Sequence, residues 1–219
     1  MSTRREAFTL ADAAREFVRH PTPWMIAATL AVAAVWRGSL GDWRPTDALV
    51  PLGLLVAFPF VEWCIHVVIL HWRPRRFLGV TLDPLLARKH REHHVDPRAV
   101  GLIFIPWQAL LWVLPGAVVV AVAAFPRIEL AGTFLMSLSV FGLVYEWMHY
   151  LIHTDYKPKS KVYKAIWRNH RQHHFKNEKF WFTVTTAGTA DRVLGTGPDP
   201  RSVPSSPTAK NLHALRPVS

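Results

Sequence analysis

The sequence contains only one cysteine, Cys64, and its 219 residues carry 15 acidic against 26 basic side chains. A single cysteine excludes a disulfide framework and a metal site made of thiolates. No cleavable signal peptide is predicted, because the first apolar run follows a charged stretch and lacks a small-residue cleavage site. The formal charge of +11 comes without any nucleic-acid-binding motif, so nucleic acid is excluded as a partner.

Apolar side chains are abundant instead, and they are grouped in four runs. The runs cover residues 24–40, 48–72, 101–125 and 130–152. A helix that spans a bilayer needs about 20 residues, and the runs approach or exceed this length. Arg37, near the end of the first run, is expected to snorkel to the membrane surface. The sequence therefore predicts an all-α, multi-pass membrane protein with four transmembrane helices.

The distribution of basic residues predicts the orientation of these helices. Basic residues precede the first run, separate the second from the third and follow the fourth, whereas the two short turns on the other side hold only Arg44 and Arg127. The positive-inside rule then places both termini and the central loop in the cytoplasm. A bias towards Ala, Arg, Val and Pro indicates a bacterial source, in which case the membrane is the plasma membrane.

Three segments are predicted along the chain. Residues 1–23 form an interfacial N-terminal segment, in which Thr9 and Asp12 make a capping box at the start of a short surface helix. Residues 24–196 form the membrane domain. Residues 197–219 are rich in proline and serine and lack an apolar period, so we expect a mobile or loosely docked tail.

Ten of the twelve histidines form four clusters at or just beyond the ends of the apolar runs. The clusters are His66 with His71, His90 with His93 and His94, His149 with His153, and His170 with His173 and His174. Imidazole is a general ligand for iron, zinc, copper and nickel. In the spacing H-x-x-H-H, one short helix directs all three rings to one side. His20 and His213 have no partners at ligand spacing and are interpreted as surface or core residues. The alternative for the ten is a basic, histidine-rich surface without metal.

The two halves of the chain repeat one plan. A Glu-Trp pair at Glu62 and again at Glu146 leads a pair of histidines, and each pair is followed by an H-R-x-H-H box. The repeat predicts two metal ions between two similar half-sites, on a helical cap at the cytoplasmic ends of the helices. We predict that Glu62 and Glu146 lie behind the ligands and accept hydrogen bonds from their ring N–H groups. Neutralisation of buried positive charge is the alternative role.

The spacing and the number of the histidines lead to two further predictions. His71 follows His66 by five residues, about 140° around an α-helix, so either the helix unwinds near residues 69–72 or the two rings serve different metals. Two six-coordinate metals offer about twelve positions, so ten imidazoles leave about two open for oxygen, water or a bridging ligand. Two four-coordinate structural zinc ions would need about eight ligands and leave none open.

The order of the histidine boxes resembles that of the fatty acid hydroxylase and sterol desaturase superfamily of integral-membrane di-iron oxygenases. The segments 180–185, 191–192 and 195–196 are similar to the family's stretch after its last box, and the resemblance covers roughly residues 7–196. It implies that the ten histidines bind two iron ions, which zinc can replace in a purified or crystallised form. It also implies that O2 is a co-substrate and that the product is a membrane lipid hydroxylated at an alkyl C–H bond, with a fatty acyl chain as the expected substrate.

The resemblance also implies partners and leaves alternatives open. The 219 residues have no room for a fused cytochrome b5 domain, so electrons are expected from a separate protein of the ferredoxin or cytochrome b5 type. The glycine that the family pattern leads us to expect beside Phe182 is absent. The sequence therefore does not define the residues at the substrate end of the pocket. The three residues between His149 and His153 favour an acyl-lipid or sterol-like substrate over a carotenoid. A lipid or sterol desaturase would use the same ligands. A membrane metal-ion transporter is the alternative of another class, although transporters hold their ions near the midplane of the bilayer.

Overall fold

The computed structural model describes residues 8–214, which are mostly helical. The helices are α1 (Leu10–Phe17), α2 (Pro21–Leu40), α3 (Leu49–Cys64), α4 (Leu85–Val95), α5 (Val100–Ile103), α6 (Trp107–Ala124), α7 (Ile128–His153), α8 (Lys161–Phe175) and α9 (Thr189–Val193). A 3-10 turn, Pro45–Ala48, leads into α3, and a π-helical turn, Ile65–Leu70, continues it. Strands β1 (Arg75–Phe77) and β2 (Val80–Leu82) form an antiparallel hairpin, and a second 3-10 turn lies at Leu212–Ala214.

Four helical segments have the length and composition to cross a membrane, as predicted. They are Pro21–Leu40, Pro45–Leu70, Val100–Ala124 and Ile128–His153. Many of their large apolar side chains are exposed at the surface of the bundle, for example Val35 at 74% and Trp112 at 81%. Such a surface is costly in water and suits lipid. The all-α, multi-pass prediction is confirmed, although it did not include the hairpin. The cytoplasmic orientation stays a prediction.

The buried Arg37 ties α2 to the turns at one end of the bundle. Its guanidinium donates to Asp47 at 2.8 Å and to Thr133 Oγ1 at 3.0 Å, and it stacks 3.5 Å from the centre of the Trp43 ring. A Cβ at Gly132 would lie 3.1 Å from the Arg37 side chain, so the glycine makes room for it. Arg37 is fully buried, so the prediction that it snorkels is wrong: the paired carboxylate replaces water as its partner.

The N-terminal helix α1 lies against the other end of the bundle. The predicted capping box is confirmed, because Asp12 N donates to Thr9 Oγ1 and Thr9 N donates back to the Asp12 carboxylate. Phe17 packs edge-on against Trp147 of α7, with ring centroids 5.1 Å apart. The first seven residues of the predicted N-terminal segment lie outside the described residues.

Candidate metal centre

The ten clustered histidines come together in two adjacent groups at one end of the helix bundle. The first group is His66, His71, His90, His94 and His173, and the second is His93, His149, His153, His170 and His174. In each group the nearest ring nitrogens all lie within 4.8 Å of one another. Nine of the ten residues are buried, and His71 is partly buried. Either group could hold a metal ion, whereas His20 and His213 belong to neither.

The distances within the groups fit metal coordination by nitrogen. The Nε2 atoms of seven histidine pairs are separated by 3.0–3.2 Å. Nitrogen ligands about 2.1 Å from an ion lie about 3.0 Å apart at right angles but about 3.4 Å apart at tetrahedral angles. The spacing therefore matches neighbouring ligands of an ion with more than four ligands better than a closed tetrahedral site.

The hydrogen bonds of the Nδ1 atoms, which point away from the centre of the groups, show that unprotonated Nε2 atoms face one another. Nδ1 of His94 donates to the carbonyl of Ala209 at 2.8 Å, and Nδ1 of His173 donates to the carbonyl of Phe180 at 2.8 Å. A carbonyl only accepts, so both Nδ1 atoms carry the hydrogen and, in the neutral rings, both Nε2 atoms carry a lone pair. These Nε2 atoms are 3.2 Å apart. Burial lowers the pKa of His94 to about 3 and that of His173 well below its usual value, which favours neutral rings. A cation between the lone pairs removes their repulsion, so the residues present fit a metal ion.

The π-helical turn brings His66 and His71 onto the same side of the helix. His71 N donates to the carbonyl of His66 at 3.0 Å, the five-residue hydrogen bond of a π-helix. Five residues at about 4.4 per turn return to within about 50° of the start, instead of 140°. The two ring centroids are 5.0 Å apart, and both rings belong to the first group. The predicted local departure from α-geometry is confirmed, at residues 65–70 instead of 69–72. Both rings lie in one candidate group, in contrast to the alternative that they serve different metals.

One histidine from each H-x-x-H-H box crosses to the other group. The first group takes four residues from the first half of the chain and His173 from the second, and the second group takes four from the second half and His93 from the first. The first and last histidines of each box stay with their own half, because residues four apart on a helix share a face. The spacing predicted two similar half-sites but not this exchange.

The two buried carboxylates that lead the histidine pairs contact backbone amides and not histidine rings. Glu62 accepts from Val184 N at 2.9 Å and from Thr185 N at 2.8 Å, and Glu146 accepts from Ile105 N at 3.0 Å. The predicted hydrogen bonds from ring N–H groups to Glu62 and Glu146 are absent from residues 8–214. Each carboxylate instead holds a non-helical segment against the bundle, because those segments have amides without a helical partner.

Backbone carbonyls of the loop after α8, and not Glu62 or Glu146, are the hydrogen-bond partners of the histidine rings there. The Phe182 carbonyl faces His66 Nδ1 at 2.5 Å, and the Phe180 carbonyl accepts from His173. Such partners fix the orientation of a metal-binding ring. Every residue has a backbone carbonyl, so the residue types in the sequence could not indicate which carbonyls contact the histidines.

Asp191 at the start of α9 organises this loop. It is fully buried, and its carboxylate accepts from Phe182 N at 2.8 Å, Thr183 N at 2.9 Å and Thr196 Oγ1 at 2.8 Å. Asn169 Nδ2 donates to it from α8 at 3.3 Å. Asp191 thereby fixes the loop whose carbonyls hold His66 and His173.

We expect the substitution Asp191→Ala to weaken both the fold and the metal centre. It leaves several buried donors without an acceptor, which costs about 3 kcal/mol or more. The released loop lets the two rings reorient, and we expect metal affinity to fall by about 10- to 100-fold. Thermal unfolding in detergent and metal titration measure the two effects. Asp199→Ala, at an exposed aspartate of the next loop, is the matched control, and equal behaviour of the two variants would contradict the role given to Asp191.

The C-terminal tail is packed over the first histidine group as far as residue 214. Leu212 and Ala209 are buried, at 1% and 5% exposure, and Thr208 Oγ1 donates to Glu178 at 2.5 Å. The Ala209 carbonyl accepts from His94, and His213 Nε2 donates to the carbonyl of His71 at 3.0 Å. The prediction of a mobile or loosely docked tail is wrong for these residues, because a few apolar anchors and backbone hydrogen bonds suffice without helical periodicity. Residues 215–219 lie outside the described residues.

We expect a chain that ends at Ser205 to bind metal less tightly than a chain that ends at Ala214. The shorter chain removes the acceptor of His94 and the buried Leu212, and loss of one such outer partner lowers metal affinity by about 10- to 100-fold. Metal content after dialysis against a graded chelator series measures the difference. Equal retention by both chains would show that the tail does not support the centre.

An apolar cavity of about 250 Å³ leads through the bundle towards the first histidine group. Its wall includes Phe58, Leu114 and Leu135 within the membrane-spanning helices, and His66 and Tyr145 at the histidine end. The cavity is therefore an apolar space that reaches from the membrane-spanning part of the bundle to the candidate metal centre.

Four membrane-spanning helices with two five-histidine groups at one end of the bundle define a class, the integral-membrane metalloproteins with a histidine-rich centre. Residues 51–196 match the family model described as fatty acid hydroxylase. This match covers about two thirds of the sequence, and the chain belongs to the fatty acid hydroxylase family, within the fatty acid hydroxylase and sterol desaturase superfamily.

Two curated proteins of Arabidopsis thaliana are similar to the chain. Dihydroceramide fatty acyl 2-hydroxylase FAH2 is 27% identical over 153 residues, which are 67% of this chain and 62% of that protein. Dihydroceramide fatty acyl 2-hydroxylase FAH1 is 25% identical over 189 residues, which are 84% of this chain and 76% of that protein. The chain thus spans less than two thirds of the length of FAH2. No solved structure matches it significantly.

Proposed function

We propose that the protein is a membrane-bound, O2-dependent di-iron monooxygenase that hydroxylates an alkyl C–H bond of a lipid acyl chain. The observation that carries this proposal is the apolar cavity that ends at His66, a member of the first histidine group. An acyl chain in this cavity would lie in an environment like that of the bilayer, with one of its carbons beside the candidate metal centre.

The ten histidines are proposed to bind two iron ions, one in each group. Five imidazoles leave about one position of a six-coordinate ion for another ligand, in contrast to a closed structural zinc site. Bound iron would supply the oxidising power that cleavage of an unactivated C–H bond requires and that protein side chains lack. Zinc in a purified sample is compatible with this proposal, because imidazole binds both metals.

The protein itself would position the acyl chain and keep water away from the reacting carbon. The apolar residues Phe58, Leu114 and Leu135 would hold the chain without fixing a polar group, so binding would depend on its length and shape. Exclusion of water from such a site also protects reactive species from side reactions. Asp191 would act through the backbone segment that it holds and not through direct contact with substrate. Glu62 holds residues 184 and 185 and also lines the cavity beside His66.

Hydroxylation requires a source of electrons in addition to the metal centre. One oxygen atom of O2 enters the C–H bond and the other leaves as water, which consumes two electrons and two protons from a donor. We propose a separate electron-transfer protein of the ferredoxin or cytochrome b5 type, which would approach the histidine end of the bundle. With the basic loops at this end, the positive-inside rule favours the cytoplasmic face of a bacterial plasma membrane.

The names of the two Arabidopsis relatives make the fatty acyl chain of a ceramide-like lipid the first substrate class to test, with hydroxylation at carbon 2. The experiment expresses the full chain in a host under 18O2 and compares its lipids with those of a host that expresses His173→Ala. We expect fatty acyl chains that gain one labelled oxygen, and fragmentation in the mass spectrometer locates the hydroxyl group.

Three other results would contradict the proposal. Loss of two hydrogens without gain of oxygen would identify a desaturase with the same centre. Unchanged lipids together with metal flux into vesicles would identify a transporter, although both histidine groups lie at one end of the bundle and not at mid-membrane. Unchanged lipids without flux, in cells where the protein holds iron and a compatible electron donor is present, would leave the hydroxylase proposal wrong.

A further inference from the structure

The β-hairpin after the second membrane span has an apolar tip in a strained conformation. Phe77 pairs with Val80, and the two residues between them, Leu78 and Gly79, both have positive φ, at +49° and +80°. Two-residue turns of this kind favour asparagine, aspartate or glycine, and a bulky aliphatic residue at positive φ is uncommon. A leucine at this position is therefore unfavourable for the turn itself.

The side chains of the hairpin are exposed, including the apolar ones around its tip. Leu78 is 87% exposed, Phe77 63% and Val80 61%. Three apolar side chains together at a tip form a patch that is unfavourable in water and typical of a surface that binds protein or lipid. Backbone strain that is retained for an exposed leucine indicates that the leucine has a partner outside the chain.

Basic side chains surround the apolar tip. Arg73, Arg75 and Arg76 are exposed, and Arg88 follows on α4. Within residues 8–214, no carboxylate lies within 4 Å of these four guanidinium groups, although Arg91 nearby is paired with Asp83 at 2.6 Å. An apolar tip with a basic border matches the membrane surface, where acyl chains meet anionic headgroups.

The position of the hairpin places it at the level of the headgroups. It connects the end of the second span at Leu70 with α4, and the Trp72 indole donates to the carbonyl of Leu82 at 3.2 Å. The Arg75 guanidinium lies 5.2 Å from the centre of the Trp72 ring. Tryptophan is enriched at the boundary between membrane and water, which favours this boundary as the place of the hairpin base. Leu70 and Leu86, on either side of the hairpin, both line the apolar cavity.

We propose that the hairpin, residues 75–82, is a lipid-binding element that inserts Phe77 and Leu78 into the adjacent leaflet. Arg75 and Arg76 bind the phosphate groups of anionic lipids. The element anchors the chain between Leu70 and Leu86, at the histidine end of the apolar cavity. This inference depends on the hairpin and the membrane spans only, and it holds whatever reaction the metal centre performs.

Nitroxide accessibility in nanodiscs tests the insertion. A label at Val80→Cys in a Cys64→Ala background is compared with two references in the full-length protein. The native Cys64, exposed on the second span, is the lipid reference, and Ser205→Cys in the same background is the water reference. We expect the label at position 80 to collide with O2 as the lipid reference does. Collision mainly with a water-soluble nickel chelate, as at position 205, would overturn the proposal and favour an acidic protein as the occupant.

Two sets of variants separate the apolar and the ionic contributions. Asparagine suits the turn better than leucine, so we expect the hairpin to stay intact in the Leu78→Asn variant. In this variant the label at position 80 should collide less with O2 and more with the nickel chelate. Arg75→Gln with Arg76→Gln is expected to abolish the difference in label depth between discs with and without anionic lipid, whereas Arg201→Gln, an exposed arginine of the tail, leaves it unchanged. Unaltered label depth in both hairpin variants would overturn the proposal.

Discussion

The substitution His173→Ala is expected to abolish lipid modification, with activity lowered by more than about 100-fold. His173 is completely buried, its Nε2 lies 3.1 Å from that of His71 and 3.2 Å from that of His94, and it is the one member of the first group that comes from the second half of the chain. Its removal takes away a nitrogen ligand and also the link between α8 and the first group. We expect about half of the bound metal to be lost.

For this variant, metal analysis measures the metal content and lipid profiling measures the activity. Size-exclusion chromatography in detergent shows whether the protein is folded. His213→Ala is the control, because His213 lies close to the first histidine group but is a member of neither histidine group. The control should keep both metals, and both proteins should remain folded in the membrane. Normal lipid modification by His173→Ala would contradict the assignment of a metal centre to these histidines.

A one-residue insertion between His149 and His153 is expected to disable the second group, whereas a one-residue deletion between His66 and His71 is expected to be tolerated. In α7 the four-residue spacing holds both rings on one face, and an inserted alanine after Leu151 rotates His153 by about 100°. Deletion of Val68 removes the π-helical turn and leaves the first pair four residues apart in an ordinary α-helix. Val68 is 52% exposed, so its deletion removes little buried surface.

Metal content and lipid hydroxylation again provide the measurements for these two variants. We expect the insertion to lower activity by more than about 100-fold and the deletion to change it by less than about 10-fold. An alanine inserted after Lys159, in the exposed loop before α8, controls for chain lengthening alone. A deletion that is as damaging as the insertion would show that the π-helical turn has a role beyond the alignment of the two rings.

The sequence predicted the parts of the fold that depend on periodicity and spacing. Apolar runs located the four spans to within a few residues, because a bilayer requires one minimum length of apolar helix. The spacing of His66 and His71 predicted either a local departure from α-geometry or different metals for the two rings, because residues five apart do not share a face of an α-helix. The histidine boxes also gave the members of the candidate site.

The features that the sequence did not predict depend on backbone groups or on partners far along the chain. The backbone carbonyls of Phe180 and Ala209 accept hydrogen bonds from His173 and His94. These contacts could not be predicted, because they depend on the path of the backbone and not on the residue type. Glu62 was expected beside a ring but binds amides of residues 184 and 185, which are more than 120 positions away. The strained turn at Leu78 was missed because a leucine there is not a turn signal.

The exchange of His93 and His173 between the two groups has a consequence for biosynthesis. A ribosome must complete α8 before either group has all five of its imidazoles, although α4 and the second span are made much earlier. Neither repeat can therefore complete a five-histidine group by itself, and we expect separately expressed fragments to bind metal tightly only after they associate. Tight metal binding would thus come late in biosynthesis, after the two repeats of the polypeptide have docked.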